Sequence, residues 1–221
     1  MDVREANASW EVQRCPSCHG YWANLISAAT IQRHEEITVP TNPSPEWEDV
    51  AWPYEATFDG GAREIGSGCV AGAGAAIWQH HLQGGAPTRV ASAVVAIPWD
   101  ASAQVAEAVG CRTALGLLLD LPTEQRCARM VGDNIAVVRY GAGHARLRRI
   151  DMQGHLEHSL QEAYRRGWTF HWQAVRRRLN GSADDLATQG VYWAAQLRDR
   201  GDTAIRTEVT WHVTPPSATA Q

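Results

Sequence analysis

Apolar and polar residues alternate along Tyr54-Glu55-Ala56-Thr57-Phe58-Asp59, the period of a half-buried β-strand. Tyr54, Ala56 and Phe58 take one face, and Glu55, Thr57 and Asp59 the other. Gly60 and Gly61 follow and predict a tight turn that brings backbone close to a ligand, although Asp-Gly-Gly also suits an ordinary turn. Gly66 to Trp78 predicts a second strand, with small residues dense enough for neighbouring strands to pack closely. That run lacks the spacing of a Walker loop or a dinucleotide fingerprint, so no nucleotide cofactor is assigned. Gly84-Gly85 marks a hairpin, and Arg89 to Ile97 reads as a third strand before Pro98. Connections this short predict three antiparallel strands in succession.

Ser102 to Leu119 is helical in period and apolar nearly all round, which predicts a central helix. Ala103, Gly110, Cys111, Ala114 and Leu118 fall within about 60° of Glu107, which places this carboxylate on a small, apolar stripe. Arg112, the basic residue of the helix, lies about 140° away. Glu107 therefore calls for a partner from outside the helix, such as a cation, because an unpaired buried ion is costly. Arg126 to Gly132 predicts a fourth strand that delivers Asp133 and Asn134, Asp133 being either the cap of a helix starting at Ile135 or a functional carboxylate.

Ala142 to Arg166 predicts a helix with a basic face, and Trp168 to Val175 a fifth strand. Asn180 to Ala187 opens a last helix running to about Arg200. There Ser182 and Asp185 match a capping box, which leaves Asp184 unexplained beside the positive end of the helix dipole. Ala204 to Val213 is a strand-like piece before a Pro-Pro-Ser tail. The organisation expected is an N-terminal segment with a Pro-rich linker over 1–52, a core domain over 53–200 and a C-terminal tail over 201–221.

Composition narrows the class. A chain of 221 residues with 44% hydrophobic content holds one well-buried domain plus appendages. No apolar run approaches a membrane span, and the acidic Met1 to Glu5 stretch carries no signal-peptide pattern. Five scattered cysteines predict a reducing, intracellular location without separating nucleus from cytoplasm. The net charge of −4 hides an asymmetry: residues 1–60 hold ten acids and three arginines, residues 126–178 eleven arginines and four acids. All the Lys and Arg positions are Arg, whose planar fork suits phosphate as well as a plain solvated face. Cys15-Pro16-Ser17-Cys18 is half of a structural Zn²⁺ site that His19 and His34 are available to complete, or a thiol-bearing loop.

Five pieces in order, TFDGG with Asp59, GAGAAIW, AEAVGCRTAL with Glu107, GDN with Asp133 and NGSADDLA with Asp184, resemble the ribonuclease H family of the type-1 and retroelement kind. The resemblance covers about residues 53–200. It implies an α/β fold, a five-stranded mixed sheet with three antiparallel strands, then parallel additions, and helices on both faces. It also implies that Asp59, Glu107, Asp133 and Asp184 converge to hold two Mg²⁺ or Mn²⁺ ions. The activity implied is internal cleavage of the RNA strand of an RNA/DNA hybrid, leaving a 3′-hydroxyl and a 5′-phosphate. Oxygen-only ligands agree with such hard cations. Gly60, Gly61, Gln104 and Asn134 are then candidates for contact with the hybrid, and Arg176, Arg177 and Arg178 for its DNA backbone. The chain departs from the family pattern in having no histidine between Gln173 and Ala183, before the last helix, which predicts slow turnover. The alternative function is a non-catalytic nucleic-acid or protein-binding module that retains the fold.

Overall fold

The strand that starts at Tyr54 continues further than Asp59. In the computed structural model, which describes residues 52–66, 68–81, 85–147 and 150–212 and the backbone of 9–14 and 21–26, Tyr54–Ile65 is one unbroken strand. Gly60 and Gly61 are therefore mid-strand rather than a turn, and neither has a positive φ. The expected turn loses to a register of direct partners that runs through both, Gly60 opposite Ala73 and Gly61 opposite Gly72.

Two short strands near the start, β1 (Ser9–Arg14) and β2 (Tyr21–Ile26), pair antiparallel as a separate sheet. From sequence, Asn24 to Arg33 reads as a short helix with Leu25, Ile26, Ala29 and Ile31 as its apolar members. Asn24 to Ile26 instead belong to β2, where β1 supplies backbone partners that an isolated short helix would lack. Cys15, Cys18, His19, His34 and the rest of that expected helix lie outside the described residues.

The central sheet has six strands: β3 (Tyr54–Ile65), β4 (Gly68–Gln79), β5 (Thr88–Ile97), β6 (Cys127–Gly132), β7 (Thr169–Ala174) and β8 (Arg206–Trp211), in the order β7-β6-β3-β4-β5-β8. β3, β4 and β5 form the antiparallel succession, and β6 and β7 add in parallel. The expected count of five is short by β8, which pairs antiparallel with β5 and comes from the strand-like piece after the last helix.

Helices α1 (Ala103–Leu119), α2 (Ile135–Gly141), α3 (Ile150–Arg165) and α4 (Gly181–Asp199) complete the α/β fold. Ser102 caps α1, its hydroxyl accepting from the Val105 N–H. α3 starts later than Ala142, because the chain after α2 turns through Gly143 at φ 74°. The two sheet faces are covered by different helices. Gly74, directly opposite Asp59, faces α4 at Ala187, whereas Gly60, one residue on, faces α1 at Ala106. The small residues of β4 thus serve the approach of a helix, since side chains on Gly72 or Gly74 would meet the α4 backbone, and not the strand-to-strand packing expected. The main core, including Phe58, Ile77, Leu115, Leu118, Met130 and Leu156, lies on the α1 side. Among the described residues no helix is long and apolar enough to cross a membrane.

Candidate metal centre

β3 and β6 run parallel with Thr57 opposite Val131. Two residues further along each strand stand Asp59 and Asp133, so both acids reach the same end of the sheet on the same face. Gly132 makes room there, because a side chain in its place would strike the Phe58 ring. A third acid arrives on α1. A Cβ on Gly60 would fall on the backbone of Ala106 and Glu107, and one on Gly110 would fall on the carbonyl of Asp59. Only glycine permits this approach of helix to strand, and it sets Glu107 beside Asp59.

Carboxylate oxygens of Asp59, Glu107 and Asp133 lie within 4.8 Å of one another. Asp59 is 2% exposed and Glu107 8%. Asp59 Oδ2 and Glu107 Oε2 are both buried without a hydrogen-bond partner. Among the described residues no arginine or histidine forms an ion pair with any of the three. Burial, then the charge of Asp133, then Asp184, push Asp59 up to about 7. Burial again, and then Asp59 and Asp133, raise Glu107 to about 10. Left to themselves, Glu107 keeps its proton at neutral pH while Asp59 is partly ionised there. The donor set fits a hard divalent cation: oxygens only, two of them orphaned, with the one nearby thiol, Cys111, held protonated by burial and by Glu107.

Asp184 adjoins this cluster from the first turn of α4, close enough to raise the pKa of Asp59. The acid that the capping pattern leaves unexplained has an arginine partner: Arg177 Nε donates to its Oδ1 at 2.9 Å and a second guanidinium nitrogen bonds the same oxygen. The expected capping box is also absent. α4 begins at Gly181, so Ser182 lies inside the first turn, and Asp185 is exposed. The residue that anchors α4 is Asn180. It is 1% exposed, and its Nδ2 donates to the Phe58 carbonyl at 2.8 Å, tying the start of α4 to the strand residue next to Asp59. Sequence reasoning assigned no role to Asn180, although it stands four residues before Asp184 and opens the quoted NGSADDLA piece.

The other candidates divide. Asn134, not Asp133, caps α2, its Oδ1 accepting from the N–H groups of Ala136 at 3.0 Å and Val137 at 3.3 Å. This releases Asp133 for the cluster and occupies the Asn134 oxygen expected to meet a ligand. Gly60 is buried under α1 and cannot contact a ligand, since the helix backbone already fills the space above it; Gly61 is half-buried. Gln104 is exposed on α1 one turn before Glu107. Arg176, Arg177 and Arg178 are exposed in a short 3-10 turn before α4, with Arg177 committed to Asp184.

No family model and no curated protein sequence matches the chain. Solved structures do. The N-terminal RNase H domain of rv2228c from Mycobacterium tuberculosis, determined as a fusion with maltose binding protein, superposes with a TM-score of 0.54 at 25% identity over 66% of this chain and 98% of that one. RNase H1 from the archaeon Halobacterium salinarum NRC-1 superposes with a TM-score of 0.51 at 21% identity, covering 63% of this chain and 97% of that one. Nearly the whole of each neighbour is matched, and what they share with this chain is the fold that carries the acidic cluster.

Proposed function

We propose, from the premise that this chain contains a ribonuclease H family domain, that it is a metal-dependent endonuclease acting on the RNA strand of RNA/DNA hybrids. The observation that carries the reading is the trio Asp59, Glu107 and Asp133, gathered within 4.8 Å, buried or half-buried, and without an ion pair among the described residues. Such an arrangement is unfavourable as a structural device, since like charges at this spacing raise one another's pKa and stabilise nothing in the fold. It becomes favourable around a divalent cation.

Asp59, Glu107, Asp133 and Asp184 are the residues that would hold Mg²⁺ or Mn²⁺. A pair of such ions supplies an activated water and charge stabilisation for the leaving oxygen in an in-line displacement at phosphorus. The chain's own part is to keep those oxygens assembled: Gly60 and Gly110 hold α1 against β3, Gly132 admits the β6 end, and Asn180 fixes the start of α4. Arg177 holds the Asp184 carboxylate in one place, and its positive charge also reaches Asp59 and Asp133. Arg176 and Arg178, exposed on the same turn, and Gln104 with Gly61 are the groups available to meet phosphates and the 2′-hydroxyls that distinguish RNA. An intracellular location, where such hybrids form, belongs to the same proposal.

The test is scission of an end-labelled RNA/DNA hybrid with Mg²⁺ or Mn²⁺ by the parent chain, Asp59→Asn and Asp133→Asn, alongside duplex RNA, duplex DNA and single strands. Cleavage of the hybrid by the parent alone supports the reading. Equal activity in all three proteins would falsify it, and tight hybrid binding without scission in either metal points instead to a non-catalytic nucleic-acid-binding module.

A further inference from the structure

β8 closes one edge of the central sheet, and among the described residues no strand pairs with its outer side. Its ladder to β5 is regular, from Ala91 opposite Trp211 to Ala96 opposite Arg206, and one residue on the His212 N–H donates to the Val90 carbonyl at 3.0 Å. Bonded positions alternate in an antiparallel pair. Arg206, Glu208 and Thr210 therefore turn their backbone groups towards β5, while Thr207, Val209 and Trp211 turn theirs outward. That outer row is a template for a further strand. β8 contains no proline, lysine or bulge, and Arg206 to Thr210 are all exposed.

The side chains around this row complement themselves. Ile205 and Val209 stand two residues before and two after Thr207, and these large apolar groups are 46% and 43% exposed. Arg206 and Glu208 stand one residue before and one after it. Arg206 bonds Asp202 at 2.9 Å yet its side chain stays 64% exposed, with further N–H donors to offer, while Glu208 has no ion pair among the described residues.

We propose that two copies of this chain join edge to edge through β8, antiparallel, with the two-fold axis at Thr207. In this register Thr207 meets its own copy, Ile205 meets Val209 of the second copy, and Arg206 meets Glu208 of the second copy, each pairing repeated by symmetry. Thr207 and Val209 belong to the row whose backbone groups face outward, and Ile205 adjoins β8 one residue before its start. A shift of one residue would set outward groups against inward ones. Centring on Val209 instead would place Glu208 against Thr210 and Arg206 against His212, losing both charge pairs. The pairing joins two sheets into one, and β4 and β5 separate it from β3 and the acidic cluster, so it stands independently of the nuclease reading.

The experiment is the solution mass of the full chain by light scattering on a sizing column, over a dilution series reaching high micromolar protein. The parent is expected at twice 24.2 kDa. Thr207→Pro removes one outward N–H and leaves the β5 ladder intact, a position where an edge strand tolerates proline; it is expected at 24.2 kDa with hybrid-binding or cleavage behaviour unchanged. Arg206→Glu alone sets two carboxylates against each other across the axis, and Glu208→Arg alone sets two guanidinium groups against each other, so each is expected as monomer. Mixing these two variants, or combining both changes in one chain, restores opposite charges and the doubled mass. A parent that stays at 24.2 kDa throughout the series overturns the proposal, and so does a dimer that persists in Thr207→Pro or fails to respond to the charge exchange.

Discussion

β3 carries two acids on one face, four residues apart, and the sheet treats them in opposite ways. Glu55 lies opposite Arg129 of β6, whose Nε donates to its Oε2 at 2.9 Å, with His80 at 3.9 Å on the other side. Asp59, two pleats later, finds Glu107 and Asp133 instead. The first arrangement is a partly buried ion pair that links two strands. The second gathers three carboxyls that form no ion pair among the described residues, Arg177 being held by Asp184, and pushes Asp59 and Glu107 upward in pKa, by burial first and by neighbouring carboxylates next. Glu55 is neutralised by a partner on the next strand, whereas Asp59, Glu107 and Asp133, held together, are compatible with a divalent cation.

The largest effect that separates these two ends is on activity. Asp59→Asn and Asp133→Asn are expected to lower hybrid cleavage on the order of 10²–10³-fold, the scale for removing one charge-stabilising group, with the fold intact by circular dichroism. Glu55→Gln is expected to leave the cleavage rate close to that of the parent, and a comparable loss there would erase the distinction.

Next comes the packing that creates the acidic end. Gly60→Ala or Gly110→Ala forces α1 away from β3, which is expected to destabilise the chain by roughly 1–3 kcal/mol or more. Calorimetric titration with Mg²⁺ should show metal binding lost along with it, because Glu107 moves off with the helix. Either variant binding metal like the parent would mean that α1 does not set the Glu107 position.

Protons provide a third contrast. Asp59 and Glu107 have folded pKa values above their ordinary 3.8 and 4.5, so the native state binds the extra protons, and stability without metal falls as pH rises through about 4 towards about 10. Half-buried His80 and His171, lowered in pKa by burial, act in the opposite sense below 6.5. The clean readout is therefore the difference between parent and Glu107→Gln. In chelator the variant should melt higher at about pH 8 than the parent, by about 2–4 °C for each kcal/mol relieved, and the gap should shrink towards pH 4. Mg²⁺ should raise the parent's melting temperature more at pH 8 than at pH 5 and do little for the variant. A gap independent of pH would exclude charge repulsion as its cause.

The smallest effect belongs to the paired end. Arg129→Ala is expected to cost about 1 kcal/mol, as for a half-exposed ion pair, by thermal unfolding, with the same increment in chelator and in Mg²⁺. An increment that changes with metal would couple the two ends of β3 and blur the comparison.

Much of the architecture was legible in the chain. Alternation located β3, the apolar density of 102–119 marked the central helix, and the acids at Asp59, Glu107, Asp133 and Asp184 stood out because local devices did not exhaust them. Even so, local patterns left the cap of α2 open between two roles for Asp133, where Asn134 and not Asp133 accepts the helix N–H groups. They likewise took Gly60 for a turn and Ser182 with Asp185 for a capping box. A turn, a cap and a strand bend can share the same few residues, and the competition among them is decided by neighbours far along the chain.

What the sequence determined by itself is therefore the periodicity of each element and which residues lack a local explanation, since both follow from side-chain spacing along one backbone. Tertiary structure alone decided which acids meet, that Arg177 claims Asp184, that Asn180 ties α4 to Phe58 across 122 positions, and that a sixth strand covers β5. Those outcomes depend on close approach between elements and on electrostatics at a few ångströms, and neither is encoded in the period of any single segment.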